Sequence, residues 1–201
     1  MNIKFKNIIR LLVFIGLVIP IGFGYNVEYF FFRYFNLYII FLLIIGTSLL
    51  FFSAFLIVRY LFNISNLENI KNHELIATLI NKNDDITLWL WFPLTMIIEE
   101  LIFRFYVLGI LLDLCLINYA ILISSVIFSL YHLHTWFAYK NYKILITYLI
   151  FSFFLGLFNG LIFFFLGLFP CIAIHYFIAF YMYYALFRKY STTRIDKKTK
   201  T

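Results

Sequence analysis

The sequence predicts an all-α fold, a polytopic transmembrane bundle of about six helices, and three observations carry that prediction. The chain is 65% hydrophobic over 201 residues, with a mean hydropathy of +0.97, far above the roughly 45–50% apolar usage of soluble domains. Its apolar residues gather in runs of about 20, the length a helix needs to cross a hydrocarbon core of about 30 Å. Most of its 16 Lys and Arg lie in alternate gaps between those runs, as the positive-inside rule leads one to expect.

In chain order the runs fall at about 8–24, 37–62, 87–112, 116–136, 143–167 and 169–187. The first follows Lys4, Lys6 and Arg10 as a signal peptide would, but no small-residue cleavage site follows it, so it reads as a retained anchor. The polar loop 63–86 has Leu and Ile spaced for a short surface helix. We divide the chain into residues 1–86, N-terminal membrane helices and a cytoplasmic loop; 87–187, a core of four membrane helices; and 188–201, a basic tail. No internal repeat or linker marks a second soluble domain.

Six spans with both termini cytoplasmic place thirteen of the sixteen Lys and Arg inside, leaving Arg33 in an outer loop and Arg59 and Arg104 within spans. The net charge of +7 is then explained by topology and by contact of the tail with membrane lipids. No nucleic-acid partner is implied. Cys115 and Cys171 are the only cysteines, and they read as buried thiols rather than a disulfide framework.

The stretch TMIIEELIFRFYVLG, residues 95–109, sets Glu99, Glu100 and Arg104 inside the third run. Each ionised residue at mid-bilayer costs about 2.5–3.5 kcal/mol on insertion scales. Glu100 and Arg104 are four apart, on one helix face and in the favourable order, and should pair. Glu99 points about 100° away and has no partner in its own segment; a carboxyl there suits a general base once a polar pocket and a water are supplied. The bland alternative is a polar knot that locks helices together. His132, four residues after Phe128 in the fourth run, and His175 in the sixth add ionisable groups on two more helices, which favours one shared site over three separate accidents. His134 should face away from His132 and lie outside the site, and His73 should be solvated.

These residues resemble the motifs of the CPBP family, the intramembrane CAAX proteases with their bacteriocin-processing and Abi-type relatives. EExxxR is met by Glu99 to Arg104 and FxxxH by Phe128 to His132. The third motif, HxxxN, is met by His175 but not by its fourth following residue, which is Ala179. The resemblance implies an endopeptidase of a bacterial cell membrane that cleaves a membrane-associated or lipidated peptide near the membrane face, in a cavity that keeps lipid away and admits water. Glu99 and His132 would activate a water, His175 would donate to the oxyanion, and Glu100, Arg104 and Phe128 would support them.

Ala179 removes one oxyanion donor. Asn159 is a candidate substitute, and an inactive scaffold or bacteriocin-immunity protein is the alternative reading. A proton-coupled transporter finds no support in repeat symmetry. No cofactor is required. Zinc held by Glu99, His132 and His175 is conceivable, but there is no HExxH pattern to favour it. Straight spans place Glu99 mid-bilayer, His132 near the inner end and His175 near the outer end, so bringing them together needs tilted or broken helices, with Pro93, Pro170 and Gly156, Gly160 and Gly167 as the places to break.

Overall fold

The structure, a computed structural model, describes residues 3–31, 34–62, 74–81 and 86–198. His73, Arg33 and most of the polar loop lie outside them. Among the described residues there are only helices and turns, because apolar runs in lipid must satisfy their backbone groups internally.

Helix α1 is Ile3–Gly22, followed by a 3₁₀ turn at Val27–Phe30. Helix α2, Leu37–Tyr60, starts at Asn36, whose side chain accepts from the Ile39 amide. The short α3, Glu74–Asn81, is the surface helix expected in the polar loop. Next comes α4, a helical run in four pieces: Thr87–Trp91 with π geometry, Phe92–Glu100 with α geometry, Leu101–Leu108 again π, and Gly109–Leu114 again α. Helix α5 is Ile117–Tyr131, passing through a 3₁₀ turn at His132–His134 into the short α6, Thr135–Tyr139. Helix α7, Tyr142–Leu166, is capped by the Asn141 side chain, and α8 runs Leu168–Lys198.

Among the described residues, five helices are long and apolar enough to cross a membrane: Phe5–Gly22, Leu37–Tyr60, Ile117–Phe137, Tyr142–Leu166 and Leu168–Thr192. The count is therefore five where the sequence suggested about six. The difference is the expected span 87–112, which is helical but broken into alternating α and π pieces with three charged side chains at its centre. Helix α8 continues without interruption from the sixth apolar run into the basic tail, as far as Lys198.

The expected break points divide into two kinds. Gly167 does break the chain, with φ +79, and a Cβ there would sit 2.8 Å from the carbonyl oxygens of Tyr29 and Phe31, so this sharp turn between α7 and α8 requires glycine. Pro170 lies in the first turn of α8, where a missing N–H costs nothing, and Pro93 falls inside α4 where the π segment passes into α geometry, a change of helix type and not a break. Gly156 and Gly160 do not interrupt α7 at all. They let it press against α5: a Cβ on Gly156 would lie 3.1 Å from the Ser125 Cα, and one on Gly160 2.8 Å from the Ile121 side chain. Small residues four apart permit such close packing in lipid, where dispersion replaces the hydrophobic drive. Ser129 adds a hydrogen bond from its hydroxyl to the Leu149 carbonyl at 2.7 Å across the same seam.

Candidate active site

The core of the site is a buried polar network around Glu100. Glu100 and Arg104 are both fully buried, and Arg104 Nε lies 3.3 Å from Glu100 Oε2, the i, i+4 ion pair that the spacing predicts. Arg104 Nη1 donates to Ser124 Oγ at 3.2 Å, and that hydroxyl donates to the Phe103 carbonyl at 2.8 Å. The guanidinium also rests 4.7 Å from the centre of the Phe128 ring, close enough for a cation–π contact.

The other oxygen of Glu100, Oε1, accepts from Asn159 Nδ2 at 3.0 Å and from His175 Nδ1 at 2.8 Å. Asn159 Nδ2 also donates to the Cys171 carbonyl at 3.2 Å, and the Cys171 thiol donates back to the Asn159 carbonyl. One carboxylate thus ties α4 to α7 and α8. Buried charge is tolerated only with this degree of pairing and hydrogen bonding.

Glu99 faces the other way, into a cavity of about 650 Å³ whose walls include His132, His175 and Ala179. Its Oε2 stands 3.8 Å from His175 Nε2 and has no hydrogen-bond partner among the described residues. The gap is too wide for a direct hydrogen bond and suited to an intervening water. His132 Nδ1 meets the Phe128 carbonyl at 2.9 Å. A carbonyl only accepts, so Nδ1 carries the proton and the neutral ring keeps its Nε2 lone pair free to accept. The Phe128 ring separates the two imidazoles edge-on, with centroids 4.9 Å from His132 and 5.6 Å from His175.

All six residues that the sequence singled out therefore converge: Glu99, His132 and His175 on the cavity, and Glu100, Arg104 and Phe128 directly behind it. The convergence that straight spans seemed to forbid follows from where the helices begin. Glu99 lies fifteen residues before Leu114 and His132 fifteen after Ile117, so the α4–α5 hairpin brings them to one level. His175 is matched through the Val27–Phe30 turn. Gly109 abuts Tyr29, and Gly167 abuts the carbonyls of Tyr29 and Phe31. From that common level Glu99 is ten residues down α4, about 15 Å, and His175 eight residues down α8, about 12 Å.

Two expectations change. His134 lines the cavity after all, its ring centroid 5.9 Å from that of His132, because α5 gives way at residue 132 to a 3₁₀ turn that alters the angular spacing. Asn159 does not reach the cavity; its amide is used on Glu100 and Cys171, so it is a structural tie and not a stand-in for the donor missing at Ala179. Among the described residues, no group of three or more His, Cys, Asp and Glu side chains is placed to hold a metal ion.

A family model described as Rce1-like, type II CAAX prenyl endopeptidase, matches residues 83–181, the stretch that supplies every residue of this network. Over that segment the match supports a CPBP/CAAX family intramembrane protease. No curated protein and no solved structure matches the chain. The match to the Rce1-like family covers α4 to the middle of α8 and leaves α1 and α2 outside it. With its five apolar helices, this Rce1-like chain is an integral membrane protein of an intramembrane endopeptidase family.

Proposed function

We propose that this Rce1-like protein hydrolyses a peptide bond of a membrane-associated or lipidated peptide, using a water activated between Glu99 and His132 and no resident metal. The observation that carries the reading is the orphaned Glu99 Oε2, 3.8 Å from His175 Nε2 in a cavity that His132 also lines. A carboxylate without a hydrogen-bond partner, facing two imidazoles, is arranged to receive a proton from water while His132 Nε2 accepts the second O–H and fixes the attacking lone pair. As the water adds to the carbonyl, negative charge develops on the substrate oxygen. His175 Nε2 is the group placed to meet it. Its Nδ1–H is already donated to Glu100, so it offers an Nε2–H as imidazolium, with the buried carboxylate as counter-ion. Such a preorganised donor is worth a few kcal/mol in the transition state. Collapse of the adduct returns the Glu99 proton to the leaving amine.

Both termini are taken to be cytoplasmic on the strength of the Lys and Arg distribution, and a bacterial cell membrane is taken from the family resemblance alone. The test is cleavage of a panel of lipidated and unmodified fluorogenic peptides by protein reconstituted in vesicles. Glu99→Gln keeps the shape and removes the base, so hydrolysis should fall by about 10²–10⁴ while the melting temperature holds, and chelators should leave the wild type unaffected. Undiminished cleavage by Glu99→Gln would refute the mechanism.

Ala179 favours a second reading, in which the same fold binds a peptide without cutting it, as an inactive scaffold or immunity protein. Residue 179 lies on the cavity wall one turn after His175 and presents a methyl group where an amide could donate. Ala179→Asn restores that donor. A several-fold rise in rate would mark a weakened protease, whereas absence of cleavage from both proteins, with peptide still bound, would mark the scaffold.

A further inference from the structure

Helices α7 and α8 run antiparallel, and two contacts fix how their residues oppose one another. Closer to the turn between them, Asn159 Nδ2 donates to the Cys171 carbonyl while the Cys171 thiol donates to the Asn159 carbonyl. Further from the turn, the Tyr148 and Tyr183 side chains come together. Eleven residues separate Asn159 from Tyr148 and twelve separate Cys171 from Tyr183, so the register holds between the two contacts. Ser152 is four residues from Tyr148 and Ala179 four from Tyr183, each on the side of the Asn159–Cys171 tie. At 1.5 Å per residue both stand about 6 Å from the tyrosine contact, at one level on facing helices. Both line the cavity. We propose that the Ser152 hydroxyl supplies, from α7, the second oxyanion donor that α8 lacks at Ala179; this rests on the reading of the cavity as a peptidase site.

The state of the hydroxyl supports this role. A serine or threonine inside a helix commonly donates to the carbonyl four residues back. Ser125 Oγ and Thr147 Oγ1 do so, at 2.6 Å and 2.7 Å. Ser152 is only 3% exposed, yet among the described residues its hydroxyl makes no hydrogen bond. A buried hydroxyl without a partner is an exception that calls for a reason, and on a cavity wall its proton is kept for a ligand. Other donors are already spent. The Thr95 hydroxyl donates to the Trp91 carbonyl and the Thr135 hydroxyl to that of His132, and the Asn159 amide is held by Glu100 and Cys171.

The opposing residue completes the argument. Ala179 is one turn from His175, and its small side chain leaves space in front of Ser152 that a longer residue would fill. A substrate carbonyl entering that space meets His175 Nε2 from one helix and Ser152 Oγ from the other. As the oxygen gains charge both donors strengthen their hold, and no bond at Ser152 Oγ forms or breaks. The site thus keeps two donors with one of them moved across the cavity.

The experiment reads turnover and the binding of a tetrahedral mimic separately. The full chain in nanodiscs is given an N-acylated fluorogenic peptide, its phosphinate analogue, which is tetrahedral and anionic at the scissile position, and its ketomethylene analogue, which is trigonal there. Ser152→Ala should lower kcat about 10²-fold, as loss of one oxyanion donor does, with KM and melting temperature held. It should weaken the phosphinate by a similar factor and spare the ketomethylene analogue, because the hydrogen bond belongs to the transition state. Adding Ala179→Asn to Ser152→Ala should recover most of both losses, a rescue that a merely structural serine would not permit. Unchanged kcat and phosphinate affinity in Ser152→Ala, or equal weakening of the two analogues, overturns the inference and leaves the Glu99 mechanism standing. A wild type that neither cleaves the peptide nor prefers the phosphinate overturns both.

Discussion

Replacing Arg104 by Ala tests whether the buried ion pair holds the bundle together or takes part in chemistry. Arg104 is fully buried, 3.3 Å from Glu100 Oε2, hydrogen-bonded to Ser124 and stacked 4.7 Å over Phe128. Its removal leaves Glu100 in the protein interior with His175 and Asn159 as its only donors. Breaking a buried pair by deleting one partner costs about 3–5 kcal/mol, and loss of the cation–π contact adds about 0.5–2 kcal/mol. Against a total stability of about 5–15 kcal/mol, the change should sharply reduce the folded, monodisperse fraction in detergent and lower the melting temperature by many degrees.

Two further variants separate charge from volume. Arg104→Met fills most of the stem volume but still strands Glu100, so it should recover only part of the loss. Glu100→Gln combined with Arg104→Met removes both charges and should recover more than either single change, giving a positive coupling in a double-mutant cycle. Thermal melts of purified protein provide the assay. If Arg104→Ala purifies in normal yield and melts normally but no longer cleaves peptide, the pair belongs to the chemistry and the structural argument is wrong.

Asn159→Ala removes a hydrogen bond to a charged carboxylate and one to the Cys171 carbonyl, worth about 2–4 kcal/mol together. It should lower the melting temperature while leaving the rate per folded molecule nearly unchanged; a large loss of rate at normal stability would restore Asn159 as a participant in the reaction. For topology, reporter fusions after residues 75 and 195 should both read cytoplasm and one after residue 30 the opposite side, and an external signal from the last residues would show that α4 does not cross the membrane.

Much of this site was legible in the sequence because the chemistry is local to short motifs. Glu100 and Arg104 meet through helical spacing alone, and Phe128 and His132 likewise. Even the shared level of Glu99 and His132 follows from counting fifteen residues to each side of the 114–117 turn. Straight spans of fixed ends concealed it, because they measured depth from an assumed bilayer edge and not from the turn the two helices share. The level of His175 could not be counted in this way. It depends on Gly109 and Gly167 both abutting the Val27–Phe30 turn, a contact between segments eighty residues or more apart that leaves no periodic signal. His134 escapes helical angular spacing because the α-helix ends at residue 132 in a 3₁₀ turn, and nothing in the residue types of 87–112 announces π geometry. Lys6 and Arg10 show the deepest ambiguity. As basic residues before an apolar run they read as a topology signal, and only the packing of α1 against α4 places the same two residues on the cavity wall.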